Sequence, residues 1–137
     1  MEEKIIKVLM VEPKKEPMEV YMKNDIYCFG DFIREDEDCE DVTELFLIED
    51  NVGIVRNRHG AIYDYVGNRK IGNEIIAGTF FVVGVDSQGI MTSLTYEQIE
   101  KYSKLFWDVE IYTDKEVRAS YWDNFEEEIN LMEIELS

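Results

Sequence analysis

Apolar residues in the first third of the chain recur in two rhythms. Ile5–Val11 is a short run with high β propensity that stops at Glu12-Pro13. After the polar link Lys14-Lys15-Glu16-Pro17, the stretch Met18–Lys23 alternates, with Val20 and Met22 on one side. Two such segments around a Pro-containing link predict a hairpin. The rhythm then changes: Ile26, Phe29, Phe32 and Ile33 step at helical spacing behind Asn24 and Asp25, either of which caps a short helix. Gly30 argues against that helix, because glycine is a poor helix former.

Further on, Glu35–Asp41 is almost pure acid and reads as a loop or linker. Thr43–Ile48 and Val52–Val55 are predicted strands around Glu49-Asp50-Asn51, and Arg58-His59-Gly60 is a turn leading into Ala61–Val66. Ile75–Val85 is the most apolar run. Its length, β-branched content and apolar residues on both faces predict a central, buried strand rather than a helix. Asp86-Ser87-Gln88-Gly89 makes a turn. Thr95 with Gln98 forms a capping box, with Leu94 and Ile99 as its hydrophobic staple. The helix it starts shows Ile99, Tyr102, Leu105 and Phe106 on one face. A strand at Val109–Tyr112 and a second capping box, Thr113 with Glu116, precede an amphipathic helix with Val117, Tyr121, Phe125, Ile129 and Met132. The order of elements predicts an α+β fold, a mostly antiparallel sheet packed with two or three helices.

Composition bounds this picture. With 137 residues, 45% of them hydrophobic, the chain suffices for one core, and 8 Gly, 2 Pro and 2 Cys exclude collagen-like, disordered and disulfide-framework classes. No apolar run approaches the roughly 18 residues of a membrane helix, and the first residues lack the pattern of a signal peptide, so a cytoplasmic protein without membrane contact is expected.

Charge changes the picture most. The chain carries 31 acids and 14 bases, net −17. Residues 31–50 hold net −9 and residues 105–137 net −8, while residues 1–30 are at −1 and 51–104 at +1. Two acidic segments thus stand on a balanced scaffold. Such a charge repels nucleic acid and keeps the chain soluble at a cost in self-repulsion. It is either an ordinary solvated surface or a docking face for a basic partner.

Candidate chemistry is thin. His59 is the only histidine and sits in the Arg58–Gly60 turn, and Cys28 and Cys39 lack the spacing of a zinc site. The acidic stretch Asp31–Asp50 has no glycine where a calcium loop needs one, which leaves only loose cation binding. No glycine-rich phosphate loop is present. Neither a catalytic residue, a metal site nor a cofactor is predicted. Asn68, Arg69 and Lys70 form a compact basic cluster, open to two readings: a phosphate or acidic-ligand site, or a structural salt bridge. Tyr121, Trp122 and Phe125, with Trp107, are either core or aromatic anchors for a protein partner.

Three pieces together carry a family resemblance: Lys7–Pro13, the core Ile75–Gly84, and Thr92-Ser93-Leu94-Thr95 leading into Glu97-Gln98-Ile99. With Asn68-Arg69 between them, residues of about 5–107 resemble domain of unknown function family 3846, carried by phages, plasmids and conjugative elements of Firmicutes. The resemblance implies no enzymatic activity and assigns no site. It links the chain loosely to mobile-element proteins that act against host defences. It divides the chain into a family-like domain, 1–107, and an acidic strand-helix extension, 108–137, packed on it. The acidic run Glu35–Asp41 and the tail from Asp108 depart from the family's expected pattern.

The expected function is a non-enzymatic acidic binding protein that blocks a host nucleic-acid-binding or defence protein, with DNA mimicry as the mode considered. The carboxylates expected to meet the basic surface are Glu35, Asp36, Glu37, Asp38, Glu40 and Asp41, with Glu126, Glu127 and Glu128. Tyr121, Trp122 and Phe125 are the accompanying anchors. The alternative is a small-ligand or nucleotide-binding module that uses Asn68, Arg69 and Lys70.

Overall fold

The computed structural model describes residues 4–35 and 43–124. The hairpin forms as its pattern predicts: β1 (Ile5–Val11) pairs antiparallel with β2 (Met18–Lys23), Val8 opposite Val20. Helix α1 (Ile26–Ile33) follows at once, with Asp25 as its N-cap accepting a hydrogen bond from the Tyr27 N–H. Gly30 lies buried within α1, so the helix forms despite it. β3 (Thr43–Glu49) and β4 (Val52–Asn57) form a second antiparallel hairpin. β5 (Gly67–Ile71) and β6 (Glu74–Ala77) form a separate two-stranded unit. β7 (Phe80–Val85), the short β8 (Met91–Thr92) and α2 (Tyr96–Leu105) complete the domain, and α3 runs over 114–124 of the described residues.

The main sheet has the order β2-β1-β7-β4-β3, with β8 paired to the end of β7. All its pairings are antiparallel. Side chains alternate across a strand, so each sheet face collects every second residue. Leu9, Val11, Phe80, Val82 and Ile54 meet Leu94, Ile99, Tyr102 and Phe106 under α2. Ile6, Val8, Met10, Phe81, Val83 and Val85 meet Phe29 and Ile33 under α1. β7 is therefore covered on both faces, and every one of its residues is buried. Burying each large apolar side chain contributes about 1.5–3 kcal/mol, so β7 holds the two layers together.

The Ile75–Val85 run contains the expected central, buried strand, β7, yet it is not one continuous strand: it divides into β6 and β7 at Gly78, whose φ of 84° only glycine adopts readily. A Cβ there would stand 2.7 Å from Cδ2 of Tyr65. Val109–Tyr112 is not a strand either and joins no ladder; it is held through side chains, Glu110 accepting from the Lys70 N–H at 3.1 Å. Residues 58–64 form successive turns beyond Arg58-His59-Gly60. The second capping box forms, Thr113 Oγ1 accepting from the Glu116 N–H and Glu116 from the Thr113 N–H.

Candidate functional site

At the end of the main sheet where β1 finishes and β7 begins, the β5–β6 hairpin, turns 58–64 and α3 build a small third cluster. Its buried members are Ala61, Tyr65, Ala77 and Val117, with Tyr63, Ile75, Tyr112 and Tyr121 against them. Ser120 Oγ accepts from the Ile75 N–H at 2.9 Å, and Asn124 donates to the Asn73 carbonyl at 3.4 Å. These bonds lay α3 along β6 up to the β5–β6 turn.

The basic cluster sits at the root of this module. The β5–β6 ladder shifts register between Gly67 and Lys70. Such a bulge re-aims side chains, and here it turns both Asn68 and Arg69 inward, each 0% exposed. Asn68 donates from one amide nitrogen to the carbonyls of Val11 (2.8 Å) and Gly78 (2.9 Å), stitching β5 to β1 and to the Gly78 break. Arg69 donates through Nε and Nη2 to the Phe106 carbonyl at the end of α2, through Nη2 also to Lys15, and through Nη1 to Asn68 Oδ1. A cation suits a helix C-terminus, whose free carbonyls carry partial negative charge. Burial pulls the Arg69 guanidinium below its ordinary pKa, and Glu110 and Asp108 oppose that. Asn68 and Arg69 thus spend their donors on the fold, and of the three only Lys70 is exposed. Among the described residues no buried side-chain nitrogen or oxygen lacks a partner.

Lys70 stands on the rim of a cleft of about 340 Å³ between α2, the end of β3 and the β5–β6 turn. Its wall is apolar at Ile48, Ile71, Leu105 and Phe106 and polar at Glu49, Tyr102 and Glu110. Glu49 accepts from both Lys101 Nζ and the Tyr102 hydroxyl. Those bonds, Lys101's first, hold its carboxyl below the usual range. Burial, then the bond to Glu49, holds the Tyr102 hydroxyl well above the usual range. A second ionic group, Arg56 between Glu44 (Nε, 3.0 Å) and Glu74 (Nη1, 2.5 Å), fastens β6 to the β3–β4 hairpin. Neither network was visible in the sequence, because its members lie far apart along the chain.

The other expected site residues are distributed as follows. The Glu35 N–H donates to the Tyr65 hydroxyl at 3.2 Å, and burial raises the Glu35 carboxyl's pKa. Tyr121 is half-buried in the third cluster, and Trp122 packs edge-on against it with ring centroids 5.2 Å apart. Trp122 is 51% exposed, so the pair is part core and part surface. Asp36, Glu37, Asp38, Glu40, Asp41, Phe125, Glu126, Glu127 and Glu128 lie outside the described residues. The His59 N–H donates to the Asn57 side chain, closing the turn, and Cys28 is a free, half-buried thiol. Among the described residues no three His, Cys, Asp or Glu side chains gather where they could hold a metal, and no helix is long and apolar enough to cross a membrane.

The architecture from β1 to the end of α2 coincides with a recognised sequence unit. The family model described as domain of unknown function (DUF3846) matches residues 6–107. The chain belongs to this family. The matched DUF3846 span closes just past Phe106, the carbonyl that Arg69 holds, and encloses the acidic run Glu35–Asp41. Residues 1–5 and the tail from Asp108 lie beyond it. No curated protein and no solved structure matches the chain.

Proposed function

We propose that this DUF3846 protein is a non-enzymatic acidic binding protein of a phage or other mobile element. In this reading it works in the host cytoplasm and blocks a host nucleic-acid-binding or defence protein, its carboxylates taking the place of a phosphate backbone in a basic groove. The observation that supports this is the segregation of charge, net −9 over 31–50 and −8 over 105–137. The stems of both segments are tied to the same turn unit: Glu35 bonds Tyr65, while Arg118 of α3 pairs with Asp64 at 2.9 Å. Lys and Arg side chains that meet such a surface release ions as they do on DNA, which makes binding steeply salt-dependent. Exposed Trp122 supplies an aromatic anchor of the kind that dominates protein interfaces.

The test is binding to a host basic protein, captured at low salt and then displaced either by duplex DNA or by raised salt. Replacing Glu126, Glu127 and Glu128 by Gln keeps size and helix propensity while removing charge. Binding that survives this substitution and that of Glu35, Asp36, Glu37, Asp38, Glu40 and Asp41 by their amides overturns the reading. A second reading, small-ligand binding, is favoured by the cleft that Lys70 borders. Nucleotide binding there, measured by titration calorimetry, is expected to depend weakly on salt and to be lost in Lys70→Glu.

A further inference from the structure

The main sheet ends on one side at β2, and no described strand pairs with its outer edge. The direction of each backbone group along that edge follows from the hydrogen bonds around it. The Asn24 N–H donates to the Lys4 carbonyl at 2.9 Å, and residues of an antiparallel pair alternate between exchanging and not exchanging bonds. In the observed register, Tyr21 opposite Lys7 is then a non-exchanging pair. Lys7 agrees, because its N–H goes to Ser93 Oγ and its carbonyl accepts from the Leu94 N–H, both on the side away from β2. The N–H and C=O groups of Glu19 and Tyr21 therefore point out of the sheet edge, as does the N–H of Lys23, whose carbonyl accepts from the Asp25 N–H at 2.8 Å.

We infer that β2 is the pairing edge for a second copy of this chain, antiparallel and centred on Tyr21, which joins two main sheets into one. About a two-fold axis at Tyr21, residue 21 faces residue 21 and Glu19 faces Lys23 of the second copy, and the reverse. The register exchanges both bonds at Tyr21 and sets the Glu19 carbonyl against the Lys23 N–H at either end. Glu19 and Lys23 lie on the same sheet face as Tyr21, and the pairing sets two opposite charges side by side at both ends of the contact. Such cross-strand pairs stabilise a ladder, whereas like charges in the same place oppose it. On the other face Val20 meets Met22, both packed beside the α1 core. The centre is apolar and uncovered: Tyr21 is 71% exposed with Lys7 Nζ 5.8 Å from its ring centroid, and Ile5 is 62% exposed.

The remaining charge selects this edge over the other. Residues 1–30 carry net −1, so two β2 edges approach without the repulsion of the acidic segments. β3, four strand spacings or roughly 19 Å away, carries Glu44 and Glu49 and no base, and both acids are already paired, with Arg56 and Lys101, so it offers no opposite charge to a second copy of itself. A two-fold pairing also closes, whereas β2 joined to β3 of another copy would propagate into a fibre.

The experiment is sedimentation equilibrium of the full chain at physiological salt, with circular dichroism to confirm that each variant is folded. A dimer is expected for the wild type. Lys23→Glu places like charges at both ends of the contact and is expected to weaken association at least tenfold. The double variant Glu19→Lys, Lys23→Glu restores opposite charges in this register alone and is expected to recover the dimer. A wild type that stays monomeric at high micromolar concentration overturns the inference. So does a dimer indifferent to Lys23→Glu, or one that the double exchange fails to rescue.

Discussion

The main sheet and the module at its end are built on different physics. In the sheet, β7 is buried on both faces and bound by apolar contacts to α1 and α2, with Phe81 meeting Phe29 edge-on at 4.9 Å between centroids. In the module, four buried apolar residues form the cluster, and polar groups supply much of the attachment: Asn68 to Val11 and Gly78, Arg69 to Phe106 and Lys15, Ser120 to Ile75. Apolar packing sums over many contacts, whereas a buried polar network is favourable only while every member is satisfied. A substitution in the sheet is thus expected to cost in proportion to the apolar contact it removes, and one in the module in proportion to the polar partners it orphans.

The largest effect expected is in the sheet. Phe81→Ala removes an aromatic ring from a fully buried position, and such truncations cost about 3–5 kcal/mol. The denaturant midpoint should fall accordingly, and an unchanged midpoint would contradict the placement of Phe81 at the centre. Arg69→Met tests the other side of the comparison. It keeps an apolar stem but leaves the buried Phe106 carbonyl and Asn68 Oδ1 without their donor, and each buried acceptor so orphaned costs about 1–3 kcal/mol. Hydrogen exchange should then rise in β5, β6 and α3 while the amides of β1 and β7 keep their protection. An equal rise in β1 and β7 would show that module and sheet open as one unit.

The same motif occurs once in each region, which allows a controlled comparison. Thr95 Oγ1 accepts from the Gln98 N–H at the start of α2, and Thr113 Oγ1 from the Glu116 N–H at the start of α3. An N-cap Thr→Ala change costs about 0.5–2 kcal/mol. For Thr95→Ala the loss is expected in the global denaturation midpoint, because α2 covers the main core. For Thr113→Ala it is expected chiefly as faster exchange in 114–124, with a smaller shift of the midpoint. The bond from the Thr113 N–H and hydroxyl also holds the Glu116 carboxyl below its usual range, so Thr113→Ala should raise it.

What the sequence made legible follows the same division. Strands β1 to β4, β7 and both capping boxes were readable, because alternation, β-branched runs and Thr-x-x-Gln or Thr-x-x-Glu spacing are local signals. The module was not. β5 is Gly67-Asn68-Arg69-Lys70-Ile71, whose polar residues carry no strand pattern; its burial comes from a bulge and from carbonyls supplied by residues 11, 15, 78 and 106. Val109–Tyr112 has the composition of a strand, yet the Glu110 side chain, rather than a ladder, fastens it to Lys70. The break at Gly78 was masked by the apolar residues around it. Of the candidate site residues, Asn68-Arg69-Lys70 was legible as a cluster, but its inward turn depended on the register shift.

The smallest effect is electrostatic and occurs in both regions. Tyr102 in the main core and Tyr112 in the module each donate a hydroxyl to a carboxylate, Glu49 and Glu110 respectively. Burial is the first cause in both, and the carboxylate adds to it: the Tyr112 hydroxyl is pushed up to about 12, and Tyr102 is also raised. A tyrosine with a raised folded pKa stays protonated while its unfolded counterpart ionises near 10.0. Its contribution to stability is therefore complete below pH 10 and is lost as pH climbs toward the folded value. Glu49 has the opposite sign: its lowered pKa gives a contribution present above about 4.5 that is lost as pH falls through the folded value. Tyr102→Phe should return Glu49 toward its usual range and flatten the alkaline loss of thermal stability. Tyr112→Phe should remove the tyrosinate absorbance that appears near pH 12 and leave the thermal midpoint of the sheet nearly unchanged, because its partner sits in the module. Ordinary titration near pH 10 for both hydroxyls would contradict these bonds. A Tyr112→Phe shift as large as that of Tyr102→Phe would instead couple the module to the sheet, and the polar root at Arg69 would then transmit stability as well as position.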